Sequence, residues 1–271
     1  MSVTLACVAS GADLARVAFG EDPGRWPLPA AHGPAQLWLR AVGAGGQGRY
    51  ATARADLAEL TRVEPAGRWC SLALSTQASF LRQLGWHWRA HDVDGRAWAA
   101  SDGDSEAAVD ALSGLAADAL GVGRLSVSAA LLSRAEQVAL DGVPDRQAVR
   151  LAWVHAELAM AAGDGPAAVR HARRAVELAG QAHPGLRRHQ VKSAVVLAAA
   201  LCCAGDFDGS RAAAGDALAQ TEAHGLEPLR WALACLLSDI GSPAHSPAAI
   251  TAVRDRTAQV VVRRGGNWKV R

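Results

Sequence analysis

Residues 194–217 read AVVLAAALCCAGDFDGSRAAAGDA, and this stretch contains the pattern that decides the fold. Apolar residues stand 11, 7 and 4 positions before Gly205, at Ala194, Ala198 and Leu201. Positions at this spacing lie on one face of a helix, about one turn apart. The glycine supplies the left-handed conformation that ends a helix, and the small residues after it allow a second helix to approach closely. The stretch therefore predicts an antiparallel helical hairpin.

The same register occurs five times along the chain. The turn glycines are Gly48, Gly85, Gly123, Gly163 and Gly205, spaced by 37, 38, 40 and 42 residues. Seven positions before them stand Ala41, Ala78, Ala116, Ala156 and Ala198. Five positions after them stand Ala53, Ala90, Ser128, Ala168 and Ser210. Because a helical hairpin buries its apolar face only against its neighbours, five copies predict a stacked array.

This pattern resembles the tetratricopeptide repeat, whose signature places a small residue in the first helix, a glycine-containing turn, then an aromatic residue and an alanine. The clearest copies are Gly48-Arg49-Tyr50-Ala51-Thr52-Ala53, with Pro65 closing the unit, residues 163–168 (GDGPAA) and residues 205–210 (GDFDGS). The resemblance covers roughly residues 35 to 225. It implies an all-α fold, a right-handed α-solenoid of antiparallel hairpins with about a dozen helices.

The flanking segments complete the expected organisation. We expect residues 1–34 to form an N-terminal helix and a Pro-rich connection, and residues 35–225 to form the five hairpins. Residues 226–261 are expected to be C-terminal capping helices, because the end of a solenoid needs a different outer face. Residues 262–271 are either a basic tail or a small hairpin turned at Gly265-Gly266, and we favour a poorly ordered tail.

Composition limits the classes of function. The formal net charge is +2, which implies no strong attraction to polyanions. The five cysteines form an odd set with no spaced pairs, which is typical of thiols in a reducing cytoplasm. The N-terminus lacks the basic segment of a secretory signal, and no apolar run is long enough for a membrane span. We therefore expect a cytoplasmic protein that has no membrane contact.

Motifs that would indicate catalysis or a cofactor are weak. The run at residues 43–48 (GAGGQG) invites a phosphate-loop interpretation, but no predicted strand precedes it and no Lys-Ser or Lys-Thr follows. His87 and His91 are four apart on a predicted helix and could face one metal ion, yet no third ligand is identifiable. We predict no enzymatic activity, no metal and no cofactor.

The resemblance implies that the first helices of the hairpins line a concave groove. Residues 13, 10, 6 and 3 positions before each turn glycine should face it. The candidate partner-binding residues on this stripe are Trp38, Arg150, Trp153, Glu157 and Lys192. A Trp can bury apolar area while a nearby cation reaches a carboxylate, so we expect a scaffold or adaptor that binds a peptide or helix of a partner protein. Packing of both Trp residues against adjacent hairpins is the alternative.

Three further interpretations remain open. A secondary candidate surface in the second copy comprises Trp86, His87, Trp88, His91 and Asp94. A basic patch comprises Arg170, Arg173, Arg174, Arg187 and Arg188, and it supports an alternative function as a regulatory module that contacts nucleic acid through this patch and the C-terminal tail. A solvated helix face would explain the patch equally. The third interpretation is a small-molecule sensor with a pocket beside Trp69, Trp86 and Trp88.

Overall fold

The computed structural model describes residues 2–183 and 185–269, with side chains from residue 10 onward. These residues form thirteen helices and no strand, which confirms the predicted all-α fold. The helices are α1 (Ser2–Phe19), α2 (Pro34–Gly46), α3 (Tyr50–Val63), α4 (Gly67–Gln83), α5 (His87–Ala100), α6 (Ser105–Gly121), α7 (Leu125–Ala139), α8 (Asp145–Ala161), α9 (Gly165–Gln181), α10 (Arg187–Cys203), α11 (Phe207–Ala223), α12 (Glu227–Ile240) and α13 (Pro247–Arg263).

The helices pack in consecutive pairs and form two layers. Each even-numbered helix from α2 to α10 packs against the helix that follows it and also against the next even-numbered helix. The odd-numbered helices from α3 to α13 pack mainly against their neighbours in sequence. The even-numbered helices are therefore the inner layer of a helical solenoid, and the odd-numbered helices are the outer layer.

The turn glycines set the start of each second helix. All five adopt a left-handed φ, between 73° at Gly48 and 89° at Gly85, which a side chain would strain. In the fourth and fifth hairpins an aspartate follows the glycine, and its carboxylate accepts a hydrogen bond from the first turn of the next helix. These bonds join Asp164 to the Ala167 amide and Asp206 to the Gly209 amide, each at 2.9 Å.

Close helix packing within the hairpins depends on ten small side chains. The five alanines seven positions before the turn glycines are fully buried, with 0% exposure. The five small residues after the glycines are buried to the same degree. Ser210, five positions after its turn glycine, also links the two helices of the fifth hairpin, since its Oγ donates to the Ala198 carbonyl at 2.7 Å. Alanine and serine are therefore required here by the distance between helices.

The two ends of the solenoid meet. Helix α1 packs on α2 and also contacts α10, at the far end of the array. Residues 264–269, which we call the C-terminal clasp, run across the turns of the first two hairpins. The Ala51 amide donates to the Arg264 carbonyl, and the Lys269 amide donates to the Leu84 carbonyl, both at 2.9 Å. The stack of hairpins is thus closed into a ring.

The clasp corrects the expectation for residues 262–271. Residues 262 and 263 belong to α13, and the clasp is packed against the protein, so the described part is neither a poorly ordered tail nor a hairpin. Local composition alone favours a poorly ordered tail here. Its order comes instead from contacts with residues more than 180 positions away, such as the 2.7 Å hydrogen bond from Trp86 Nε1 to the Asn267 carbonyl. Residues 270 and 271 lie outside the described residues.

We expect Trp268→Ala to lower the free energy of unfolding by about 2 kcal/mol, because this half-buried ring anchors the clasp. The Trp268 ring lies 4.3 Å from that of Trp231 between centroids, and its Nε1 donates to the Ala258 carbonyl at 3.3 Å. Denaturant unfolding measures the change, and hydrogen exchange should show faster exchange at the Ala51 amide. Leu140→Ala, at a side chain that is 86% exposed, is the matched control. Equal stability of the two variants would contradict the role of the clasp.

Candidate binding cavity

The inner layer encloses a cavity of about 480 Å³. Every even-numbered helix contributes to its wall, and Phe19 at the end of α1 and His87 at the start of α5 complete it. All five predicted partner-binding residues line the cavity: Trp38, Arg150, Trp153, Glu157 and Lys192. A volume between roughly 300 and 1,000 Å³ is typical of sites for small ligands. The cavity is therefore large enough for a small molecule or a few residues of a peptide.

Two indole rings form fixed parts of the wall. Trp38 Nε1 donates to Thr76 Oγ1 at 3.0 Å, and Trp153 Nε1 donates to Ser193 Oγ at 2.8 Å. Each bond joins one inner helix to the next, so both Trp residues also pack between adjacent hairpins. The Trp153 ring additionally stacks on His189, with 5.2 Å between centroids and 22° between planes. Partner binding and packing between hairpins are thus compatible roles for Trp38 and Trp153, because both rings link hairpins and also face the cavity.

The wall of the cavity is predominantly cationic. Five cationic side chains line it, namely Arg82, Arg146, Arg150, Arg188 and Lys192. Among the described residues, two carboxylates line it, those of Asp110 and Glu157. Charges that are partly shielded from water act more strongly on a ligand than fully exposed charges do. The lining therefore favours a ligand that carries negative charge.

Two of these arginines are held by a carboxylate pair on α6. Arg146 Nη2 lies 2.6 Å from Glu106 Oε1 and 2.7 Å from Asp110 Oδ2. Arg150 donates to the same Asp110 carboxylate through Nη1. Burial lowers the pKa of Arg150 to about 10, and the charge of Arg82 adds to this effect. Both guanidiniums stay charged at neutral pH and are fixed in position by these hydrogen bonds.

A different environment surrounds Arg188 at the start of α10. None of the described ion pairs includes Arg188, and its Nε has no hydrogen-bond partner among the described residues. Its Nη2 lies 3.5 Å from the Ala18 carbonyl. Burial, together with the charge of Arg146, lowers the pKa of Arg188 to about 10. This corner of the cavity thus contains a positive charge that no described carboxylate balances.

His189, beside Arg188, is 3% exposed. Its Nδ1 has no hydrogen-bond partner in the part of the chain that the structure describes. Burial lowers the pKa of His189 well below its usual value of 6.5, and the neighbouring Arg188 lowers it further. The imidazole is therefore neutral at physiological pH, and one ring nitrogen is unused.

On the opposite side, Arg82 joins two buried carboxylates. Its Nη1 lies 2.6 Å from Asp118 Oδ1 and 3.0 Å from Asp94 Oδ2. Burial raises the pKa of Asp94 well above 3.8; the charge of Arg82 opposes this rise, and that of Asp118 adds to it. The pair of carboxylates therefore keeps a proton at pH values where an exposed aspartate is ionised. Gly114 is needed here, because a Cβ on it would lie 2.2 Å from Asp94 Oδ2.

The secondary candidate surface is divided by the structure. Trp86 hydrogen-bonds to the clasp, and His87 lies in the cavity wall, with its Nδ1 4.0 Å from Asp118 Oδ1. Trp88 is 55% exposed beneath the Arg124 guanidinium. His91 is half-buried outside the cavity lining, and Asp94 is fully buried. His87, His91 and Asp94 share one face of α5 but lie at different depths, and Trp86 and Trp88 contact other parts of the chain, so the five residues do not form one surface.

The pocket expected beside Trp69, Trp86 and Trp88 is also corrected. None of these three residues lines the cavity, which lies on the inner layer instead. Trp69 packs on the ring of Trp38, with 6.0 Å between centroids. A pocket inside the superhelix is present, but other aromatic residues form it.

The basic patch is smaller than predicted. Arg170, Arg173 and Arg174 are exposed on α9, and half-buried Arg187 donates to Gln190 at 3.0 Å. Arg188 is wrongly assigned to the patch, because it points into the cavity. The repeat register contains the missed signal: Arg146 and Arg188 stand 17 positions before Gly163 and Gly205, one helical turn beyond the predicted groove stripe.

Neither a family model nor a curated protein matches this chain. The class of protein is therefore defined by the fold and the site, as a closed solenoid of helical hairpins around an aromatic and cationic cavity. None of the described helices has both the length and the apolar character that crossing a bilayer requires.

We expect Asp94→Asn to leave the free energy of unfolding at neutral pH nearly unchanged, because Asp118 still balances Arg82. The double variant Asp94→Asn/Asp118→Asn should lose about 3–5 kcal/mol, since it leaves a buried guanidinium unpaired. Asp216→Asn on the exposed face of α11 is the control for loss of a carboxylate. Denaturant unfolding measures the free energy of unfolding of all three variants. A small loss in the double variant, no larger than the sum of the losses in the single variants, would contradict the shared role of the two carboxylates.

The same pair predicts a pH dependence. The folded chain keeps a proton on Asp94 at pH values where the unfolded chain, with a pKa near 3.8, has released it. The folded state then binds more protons, so this group's contribution to stability is present at low pH and is lost as pH rises toward its raised pKa. Unfolding measured at several pH values should show this loss in the native chain and not in Asp94→Asn. Parallel curves for the two proteins would exclude it.

Proposed function

We propose that this chain is a non-enzymatic, tetratricopeptide-like binding protein that holds a short extended segment of a partner protein in its cavity. The observation that carries the proposal is the convergence of Trp38, Trp153, Arg150, Glu157 and Lys192 on one cavity. A fixed aromatic wall next to fixed cations offers apolar area and charge recognition at a small entropic cost.

The chemistry of the cavity supports binding rather than catalysis. Both lining carboxylates are engaged by cations, since Asp110 bonds Arg146 and Arg150, and Glu157 Oε1 lies 3.2 Å from Lys192 Nζ. A general base needs a free lone pair within reach of the substrate proton. His189 is neutral, but its Nδ1 is fully buried and does not open onto the cavity. These groups are arranged to hold a ligand in place.

The shape of the groove favours a short segment over a helix. Phe19 at the end of α1 fills part of the inner face, with its ring 5.3 Å from that of Trp38 between centroids. A helix is about 10–12 Å wide with its side chains and would have to displace this part of α1. An extended segment of a few residues needs no such displacement.

The alternative function, contact with nucleic acid, has less support. The exposed part of the basic patch is confined to three arginines on α9, and Arg174 Nη1 lies 3.4 Å from Glu177 Oε2. The clasp is packed against the first two hairpins, so residues 264–269 are not a free tail that could contact nucleic acid. Nucleic-acid binding normally uses a broader basic surface. The exposed patch is better explained as a solvated helix face.

The proposal predicts that a partner segment can be cross-linked from inside the cavity. A photoreactive phenylalanine analogue at Leu120, which lines the cavity, should cross-link to one discrete segment of a partner in cells. The same analogue at Leu140, whose side chain is 86% exposed, should give no such product. Peptide mapping by mass spectrometry identifies the cross-linked segment.

A substitution in the wall tests whether the cavity itself is the site. Trp153→Leu combined with the Leu120 probe should reduce the cross-linked product by at least about tenfold, because buried Trp anchors commonly contribute 2 kcal/mol or more to binding. Thermal unfolding of the variant checks that the fold is intact. Undiminished product from a folded Trp153→Leu variant, or the same product from Leu120 and Leu140, would remove the proposal.

A further inference from the structure

We infer that the cavity selects a ligand with an anionic group, a carboxylate or a phosphate, that pairs with Arg188 beside His189 while a flat apolar part of the ligand contacts Trp153 and Phe19. This inference rests on the proposed function, because it takes the cavity to be a binding site. It names the chemical class of the ligand and the residue that selects it.

Arg188 is the exception among the cations of the cavity. Arg82 is paired with Asp94 and Asp118, Arg146 with Glu106 and Asp110, Arg150 with Asp110, and Lys192 with Glu157. No described carboxylate pairs with Arg188. A partly desolvated charge without a partner, such as half-buried Arg188, destabilises a folded protein. A bound anion would remove this penalty. Arg188 is therefore the cation of the cavity at which anion binding is most favourable.

The side chain of Arg188 is held in place by packing. A Cβ on Gly46 would lie 2.8 Å from Arg188 Cδ, so the glycine leaves the space that the arginine stem occupies. The guanidinium has five N–H donors, and the contact of 3.5 Å to the Ala18 carbonyl uses at most one of them. Donors therefore remain for both oxygens of a carboxylate or for a phosphate.

The groups next to Arg188 define the rest of the ligand. His189 is neutral, so the positive charge of this corner comes from Arg188. The His189 ring is stacked on Trp153 and lies 6.0 Å from the Phe19 ring between centroids. Aromatic rings in this arrangement contact flat or apolar groups well. The ligand thus combines an anion with a ring or other planar group.

Three small probes that share one ring test this selectivity. Benzoate, phenyl phosphate and benzamide are titrated calorimetrically into the full chain at millimolar concentrations. We expect at least one of the two anions to bind at least about tenfold more tightly than uncharged benzamide. The better of the two anions indicates whether the natural group is a carboxylate or a phosphate. Failure of both anions to bind, or equal binding of all three probes, would overturn the inference.

Substitution of Arg188 assigns the preference to this residue. Arg188→Gln should abolish the preference for the anions and leave the weak binding of benzamide unchanged. Arg170→Gln on the exposed face of α9 changes the net charge equally and should keep the preference. Retention of the preference in Arg188→Gln would overturn the inference.

Stability separates a binding role for Arg188 from a structural one. Arg188→Met should raise the midpoint of thermal unfolding by roughly 2–4 °C, because it removes an unpaired, half-buried charge. Arg146→Met should lower the midpoint, because Glu106 and Asp110 lose their partner. A lower midpoint for Arg188→Met would indicate a structural role and count against the inference.

The two proposals can fail separately. If cross-linking from Leu120 depends on Trp153 but the probes show no dependence on Arg188, the cavity binds a partner and only the anion inference is wrong. If the probes depend on Arg188 while no partner segment is cross-linked, the anion site stands, its source is a free small molecule, and the proposed protein partner is wrong.

Discussion

The close approach of helices within each hairpin is the constraint on which the rest of the structure depends. Small side chains that are completely buried stand seven positions before and five positions after each turn glycine. Any larger side chain there would push the two helices apart. The two helices of each hairpin can thereby pack closely, and the stack of hairpins ends where α1 contacts α10 and the clasp contacts the first two hairpins.

The same repeat places the functional groups. Since small residues occupy the interface, the long side chains of the first helices lie on the remaining inner stripe. The repeat register therefore predicts a common surface for Trp38, Arg150, Trp153, Glu157 and Lys192, and all five line the cavity. Arg188 was misassigned because it was grouped with neighbouring arginines by charge, although its position in the repeat indicated the inner face.

Other features could not be predicted because they depend on contacts between distant parts of the chain. The clasp has no periodic pattern, and its order comes from backbone groups near Ala51 and Leu84 that only the closed ring brings within reach. In the second copy of the repeat, the buried carboxylate of Asp94 is explained by Arg82, which also pairs with Asp118; these two residues come from two other helices. Sequence periodicity predicts which residues share one face of a helix. It does not predict which distant residues pack against that face.

The clasp also affects how molecules enter and leave the cavity. In an open solenoid the terminal units fray first, and the concave side is continuously accessible from both ends. Here the hydrogen bonds from Ala51, Trp86 and Lys269 join the first hairpins to the last residues of the described chain. Release of this short segment would remove one of the two contacts that close the ring, the other being α1 on α10, without unfolding a single hairpin. The lifetime of a bound molecule can therefore depend on six residues near the C-terminus, at a distance from the groups that bind it.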